Sequence, residues 1–154
     1  MLALTACIPY GFAGGGLPNN IRTVAVLPFD NQTPATGLQR DILDAMRKGI
    51  ESRLGLRPAA EARADAVVRG AILRYDADVP TAYSSDPTRA TSARRLLRIT
   101  ADIEIVDQTT GKTLWARKGV TADGEYAEQA EQKGRDIAVQ KLVDAVITGA
   151  QSQW

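Results

Sequence analysis

Nine residues near the middle of the chain constrain its fold more than any other stretch. Leu97, Ile99, Ala101, Ile103 and Ile105 alternate with Arg98, Thr100, Asp102 and Glu104. A period of two puts one set on each side of a β-strand, so the segment demands a sheet with one buried face and one wet face. Asp107 to Gly111 then supplies a tight connection. Residues 112–122 follow as a strand with Leu114, Trp115, Ala116 and Val120, so the two segments form an antiparallel hairpin.

The flanking segments complete the architecture. Residues 21–29 are rich in β-branched side chains and stop at Pro28 and the turn-prone Asp30-Asn31, which reads as a first strand. From Thr36 to Leu54 apolar residues recur at Leu38, Ile42, Met46, Ile50 and Leu54, the stripe of an amphipathic helix that Gly55 ends. Residues 66–78 form another strand, closed by Pro80. Residues 80–93 hold almost nothing to bury and read as a mobile connection. Residues 126–150 close the chain as a long helix, with Glu125, Glu128 and Glu131 suiting the positive end of its dipole. The expected fold is α+β, a two-layer sandwich in the order β-α-β-β-β-α: a four-stranded mixed sheet with two long helices on one face. The opposite sheet face then has no helix to cover it. At 154 residues the chain suits one domain with a real core, expected over residues 21–154.

Composition removes whole classes of function. Histidine is absent and Cys7 is the only cysteine, which excludes His-based triads, Cys/His zinc sites and an internal disulfide. Lys plus Arg is 19 against 18 for Asp plus Glu, so no general basic field exists for a nucleic acid partner. Gly111-Lys112-Thr113 fails as a phosphate loop, because Val106 stands where the loop needs glycine and a strand follows the lysine. Gly14-Gly15-Gly16 precedes a strand rather than a helix and reads as a flexible joint. Asp102 and Glu104 could pair as an acid and a base, but with Arg98 and Arg117 nearby a solvated charge ladder is the better reading. No enzyme, metal or cofactor is expected.

Two features point elsewhere. Leu4-Thr5-Ala6-Cys7 has the form of a bacterial lipobox, in which the cysteine thiol takes up lipid and becomes the mature N-terminus. Only six residues precede Cys7, so residues 1–7 are expected to be the remnant of a truncated signal, with residues 8–20 as an uncharged flexible tether. A short apolar segment holding a buried free thiol is the bland alternative. The second feature is Arg89, Arg94, Arg95 and Arg98, four arginines in ten residues with no acid among them. Their guanidinium forks could grip a phosphate-bearing ligand, or they could line a solvated, self-repelling turn. Thr100, Asp102, Glu104, Trp115 and Arg117 are expected on the uncovered sheet face as partner contacts, with Trp115 either an aromatic anchor there or shielded by the end of a helix.

Several blocks carry a family resemblance: Pro9-Tyr10-Gly11-Phe12 after Cys7, Leu17-Pro18-Asn19-Asn20-Ile21-Arg22-Thr23-Val24-Ala25-Val26, Ala64-Asp65-Ala66-Val67-Val68-Arg69-Gly70, and Val106-Asp107-Gln108-Thr109-Thr110-Gly111-Lys112-Thr113-Leu114-Trp115. In this order and spacing they resemble the lipopolysaccharide-assembly lipoproteins, the LptE-like partners of the outer-membrane translocon. The resemblance implies a non-enzymatic outer-membrane lipoprotein that plugs a large LptD-like β-barrel, helps it assemble and contacts lipopolysaccharide on its way to the cell surface. Its periplasm-facing domain would be held to the membrane by the lipid on Cys7. Residues 24–33 also resemble the start of TolB N-terminal, curli-secretion and penicillin-binding-protein-activator lipoprotein domains, which would make the chain a periplasmic regulator or secretion subunit.

Overall fold

A computed structural model describes residues 17–79 and 94–152. The first strand, β1 (Thr23–Val26), ends before Pro28, and the same line resumes as β2 (Asp30–Asn31). Both run parallel to β4 (Ala66–Val79), with Val26 beside Val68 and Asn31 beside Ile72. Proline lacks the donor a ladder needs, so the line breaks there. Phe29, in the gap, turns its fully buried ring toward the core.

Parallel neighbours need a crossover, and α1 (Leu38–Gly49) supplies it. Its buried stripe is Leu38, Ile42 and Met46. A strict four-residue step lags the 3.6-residue helical turn, and the chain takes up the lag in a wider π-helical turn, Ile50–Leu54, that keeps Ile50 buried. Gly55 stops it at φ 67°, a left-handed conformation that glycine adopts without strain. The two-residue strand β3 (Arg57–Pro58) then pairs with β1.

From β4 the sheet continues as an antiparallel meander through β5 (Arg94–Asp107) and β6 (Thr113–Ala127). The strand order is β3-β1-β4-β5-β6, with β2 also on β4. The final helix, α2 (Glu131–Ser152), lies along β5 and β6 and touches α1. Ile42 and Met46 of α1, Leu142 and Val146 of α2, and Ile99 and Ile105 of β5 belong to one core. The mixed α+β sandwich and its order of long elements are as the sequence implies. The sheet has six strands rather than four, because β2 and β3 are too short to show any periodicity. The last helix starts at Glu131 rather than Tyr126, since β6 runs on to Ala127. Glu125 accordingly sits on a strand and not at a helix end.

Glycines set how closely α2 can approach. A Cβ on Gly124 of β6 would overlap the carbonyl oxygen of Gly134 and lie 3.0 Å from the backbone nitrogen of Ala138, so the helix rests backbone to backbone on the strand. At the other end of α2, a Cβ on Gly149 would lie 2.7 Å from Cζ2 of Trp115.

Candidate contact face

The side of the sheet away from the helices carries Thr100, Asp102 and Glu104, alternating with the buried positions of β5 and half-exposed. Register sets their neighbours: Arg69 of β4 opposite Glu104, Asp76 opposite Arg98, and Asp123 of β6 on the other side of Arg98. Opposite charges that face each other across strands pair directly. The Arg69 Nε donates to Glu104 at 2.5 Å, and Arg98 makes two parallel bonds to the Asp123 carboxylate, both 2.7 Å. This two-pronged geometry is the strong form of the arginine–carboxylate pair. The Arg98 hydrogen bonds hold the Asp123 carboxyl below the usual carboxylate range, and in return Arg98 is pushed further up. The Asp102 carboxylate accepts the backbone N–H of Gly119 at 2.7 Å. Asp102 and Glu104 are therefore both engaged in a charge ladder, with Arg69 and a backbone amide as partners rather than Arg98 and Arg117.

Trp115 needs a correction. It is 3% exposed and packed against Gly149 of α2, so it belongs to the core and not to the open face. Hairpin register is the reason: the ladder skips a residue between Ile105 and Val106, which sets Trp115 opposite the buried Ile105. Its shielding by a helix end is the reading that holds. Arg117 pairs with Ile103 in register, yet its side chain is exposed where β6 bulges. It borders a shallow dent floored by Gly70, Ala71 and Ala116 and edged by Arg69 and Lys118.

The arginine cluster is also redrawn. Arg89 lies outside the described residues. Arg95 points to the side of buried Tyr126, with Asp78 at 2.8 Å and Glu128 at 3.4 Å, whereas Arg98 is on the open face. Arg94 has Glu125 at 3.5 Å. Alternation thus separates sequence neighbours onto opposite sides, and carboxylates from β4, β6 and the following turn relieve the repulsion expected among them. Those acids lie 17 to 33 residues away from Arg95 and could not be matched to it from the sequence. Among the described residues, the cations at this face with no carboxylate beside them are Arg117 and Lys118; the second was not singled out in the sequence, where it looks like any exposed lysine.

A second groove, about 440 Å³, lies at the opposite sheet edge among Val24, Val26, Leu27, Leu56 and Pro58. There Arg47 reaches the Val26 carbonyl at 3.4 Å. Among the described residues no cluster of His, Cys, Asp and Glu could hold a metal ion, and no helix is long and apolar enough to cross a membrane. Cys7 lies outside the described residues.

The fold itself places the chain among small two-layer α+β proteins known from solved structures. A protein from Xanthomonas campestris superposes with a TM-score of 0.61 at 9% identity, covering 90% of this chain and 91% of its own. The PelC dodecamer subunit from Paraburkholderia phytofirmans gives 0.59 at 15% identity, covering 89% and 94%. A putative lipoprotein from Caulobacter crescentus gives 0.53 at 13%, covering 81% and 88%. At these identities the likeness is one of fold. No curated protein matches the sequence. Residues 21–146, however, match the lipopolysaccharide-assembly family, LptE, and the chain belongs to that family. It is a family of non-enzymatic outer-membrane lipoproteins.

Proposed function

We propose that the domain is a lipid-anchored subunit of the outer-membrane lipopolysaccharide translocon. Cys7 carries the anchor, the domain sits in the lumen of an LptD-like β-barrel that it helps to assemble, and its open sheet face meets the barrel wall and the passing lipopolysaccharide. The family match over residues 21–146 carries this reading. The bare sheet face supports it, since both helices pack on the other side.

The phosphates of the glycolipid would be met by cations on β5 and β6. Arg117 and Lys118 are available as they stand, whereas Arg94, Arg95 and Arg98 have Glu125, Asp78 and Asp123 beside them and would exchange one acidic partner for another. Arg89 remains a candidate from the sequence alone.

Photocrosslinkers on the full-length lipoprotein test the orientation. Probes at Thr100, Asp102 and Glu104 should capture one large membrane protein, and probes at the exposed α1 positions Arg40 and Lys48 should capture much less. Equal yields from both sides would reject an oriented plug. Labelling of the membrane fraction that showed Cys7 unmodified would reject the anchor.

A further inference from the structure

We propose that residues 8–12 of this chain, Ile8-Pro9-Tyr10-Gly11-Phe12, dock in the groove at the β1 edge, where the backbone of Val26 lies open. The docking stands apart from the translocon reading. Hydrogen bonds alternate along β1: the carbonyls of Arg22 and Val24 accept from Arg57 and Ala59 on the β3 side, and the Leu27 N–H donates to Val68 on the β4 side. The same alternation turns the N–H and C=O of Val26 toward β3, but β3 stops at Pro58. The Val26 carbonyl has Arg47 at 3.4 Å, and its N–H has no partner among the described residues. Val26 is only 6% exposed, so this is a recessed slot for one more stretch of extended backbone. Half-exposed Leu27, with Leu56, Pro58 and Ala60, gives the slot apolar walls.

The chain ahead of β1 is aimed at this slot. The turn from Pro18 to Ile21, closed by the Ile21 N–H on the Pro18 carbonyl at 2.9 Å, reverses the chain, so whatever precedes Leu17 sets off back along β1. Asp65, accepting the Arg22 N–H, pins the end of that turn to the sheet. From Leu17 back to Phe12 is five steps, about 17 Å when extended. From Arg22 to Val26 is four steps of strand, about 13 Å. The surplus falls on Gly14-Gly15-Gly16, which lets the chain pass around the two residues of β3. Composition selects the same segment. No charged residue precedes Arg22, so the segment enters without stripping water from an ion, and Ile8, Tyr10 and Phe12 alternate so that an extended backbone turns all three to one side. Residues 80–93, the other stretch of comparable reach, hold almost nothing to bury. A lipid on Cys7 would then leave from the end of the groove and orient the domain on its anchor. That consequence alone rests on the anchor proposed above.

The test uses the full chain carrying Cys7→Ser, without lipid or barrel, so its outcome is independent of the translocon reading. Hydrogen exchange read by NMR should show the Val26 amide exchanging roughly tenfold faster in Tyr10→Asp/Phe12→Asp than in the parent, with the Ala25 amide, on the β4 side, unchanged. Tyr10→Cys combined with Ala60→Cys, on the groove wall, should close a disulfide in dilute monomer roughly tenfold faster than Tyr10→Cys combined with Gln108→Cys. Gln108 is exposed, and its N–H bonds to Asp65, the residue that holds Arg22, so a free tether would meet it at least as often. Deleting Gly14-Gly15-Gly16 leaves two steps, about 7 Å, and should abolish the preference for Ala60 and free the Val26 amide. A Val26 amide indifferent to the double substitution, equal closure at Ala60 and Gln108, or a chain indifferent to loss of the three glycines would each overturn the proposal.

Discussion

Gly124→Ala tests how the helical layer is seated on the sheet. A Cβ at this position would overlap the Gly134 carbonyl oxygen and lie 2.7 Å from its carbonyl carbon and 3.0 Å from the Ala138 nitrogen. All three are backbone atoms of α2 or bonded to them, so no side-chain rotation relieves the overlap. Carbon–carbon contacts are comfortable at about 3.5–4.0 Å, so α2 must lift by roughly 1 Å over its first turns. Leu142 and Val146, both fully buried, hang from the same rigid helix and would lose contacts with the sheet. Overpacking of this kind costs about 1–3 kcal/mol, and a purely backbone clash belongs at the upper end. At about 2–4 °C per kcal/mol for a chain of this size, thermal denaturation should fall by roughly 6–12 °C. The control is Gly55→Ala. Its Cβ meets nothing within 4 Å, and only the left-handed φ of 67° is at stake, a cost of about 1–2 kcal/mol. Calorimetry that put Gly124→Ala level with wild type, or less affected than Gly55→Ala, would refute the seating described here.

Trp115→Ala should act as a core truncation, costing about 3–5 kcal/mol of unfolding free energy in a denaturant titration; any loss of partner capture should then follow the lost stability. Asp65 ties the start of β1 to β4 by accepting the backbone N–H groups of Arg22 and Thr23 and the Thr23 hydroxyl, each at 2.9 Å. The Arg22 amide first, then the Thr23 groups, lower its carboxyl below the usual value. A carboxyl lowered in the folded state contributes its full stability above the ordinary unfolded value of about 3.9 and loses it as pH falls through the folded value. Asp65→Asn should therefore flatten the acid limb of a stability–pH curve below about pH 4, and an unchanged limb would contradict the assignment. Arg69→Gln, at a pair whose side chains are 58% and 35% exposed, should shift stability by no more than about 1 kcal/mol. A larger loss on urea titration would mean that the ladder is structural.

What could be read from the sequence was whatever depends on local period. The alternation across β5 and the four-residue stripe of α1 each carry their own direction to the core, so their buried positions follow at once. Trp115 shows where local period fails. Alternation within β6 says that Trp115 and Arg117 share a side, but which side depends on hairpin register, and a single skipped residue between Ile105 and Val106 decides it. The arginines fail for a related reason. Nearness along a strand is not nearness in space, and the acids that hold Arg95 and Arg98 come from β4, β6 and the turn after β6. The strands β2 and β3, two residues each, exist because neighbours offer them hydrogen bonds, and no pattern of two residues could announce that.

The pairing of charges on the open face bears on the surroundings it can enter. Arg69 with Glu104, Arg98 with Asp123 and Arg94 with Glu125 alternate in sign, and most of these side chains keep contact with water. Pressing such a face into lipid hydrocarbon would strip water from six ions at a cost of several kcal/mol each, more than their mutual attraction returns. A large barrel lumen is polar and hydrated, and its wall can meet the same ions without that cost. The ladder therefore favours hydrated surroundings for this face. Because each pair is nearly neutral, the fixed attraction to a polyanion is weak along most of the face and strongest at Arg117 and Lys118. A phosphate-bearing ligand held mainly by two exposed cations would be released readily as salt rises, which suits a surface that a substrate passes rather than one on which it comes to rest.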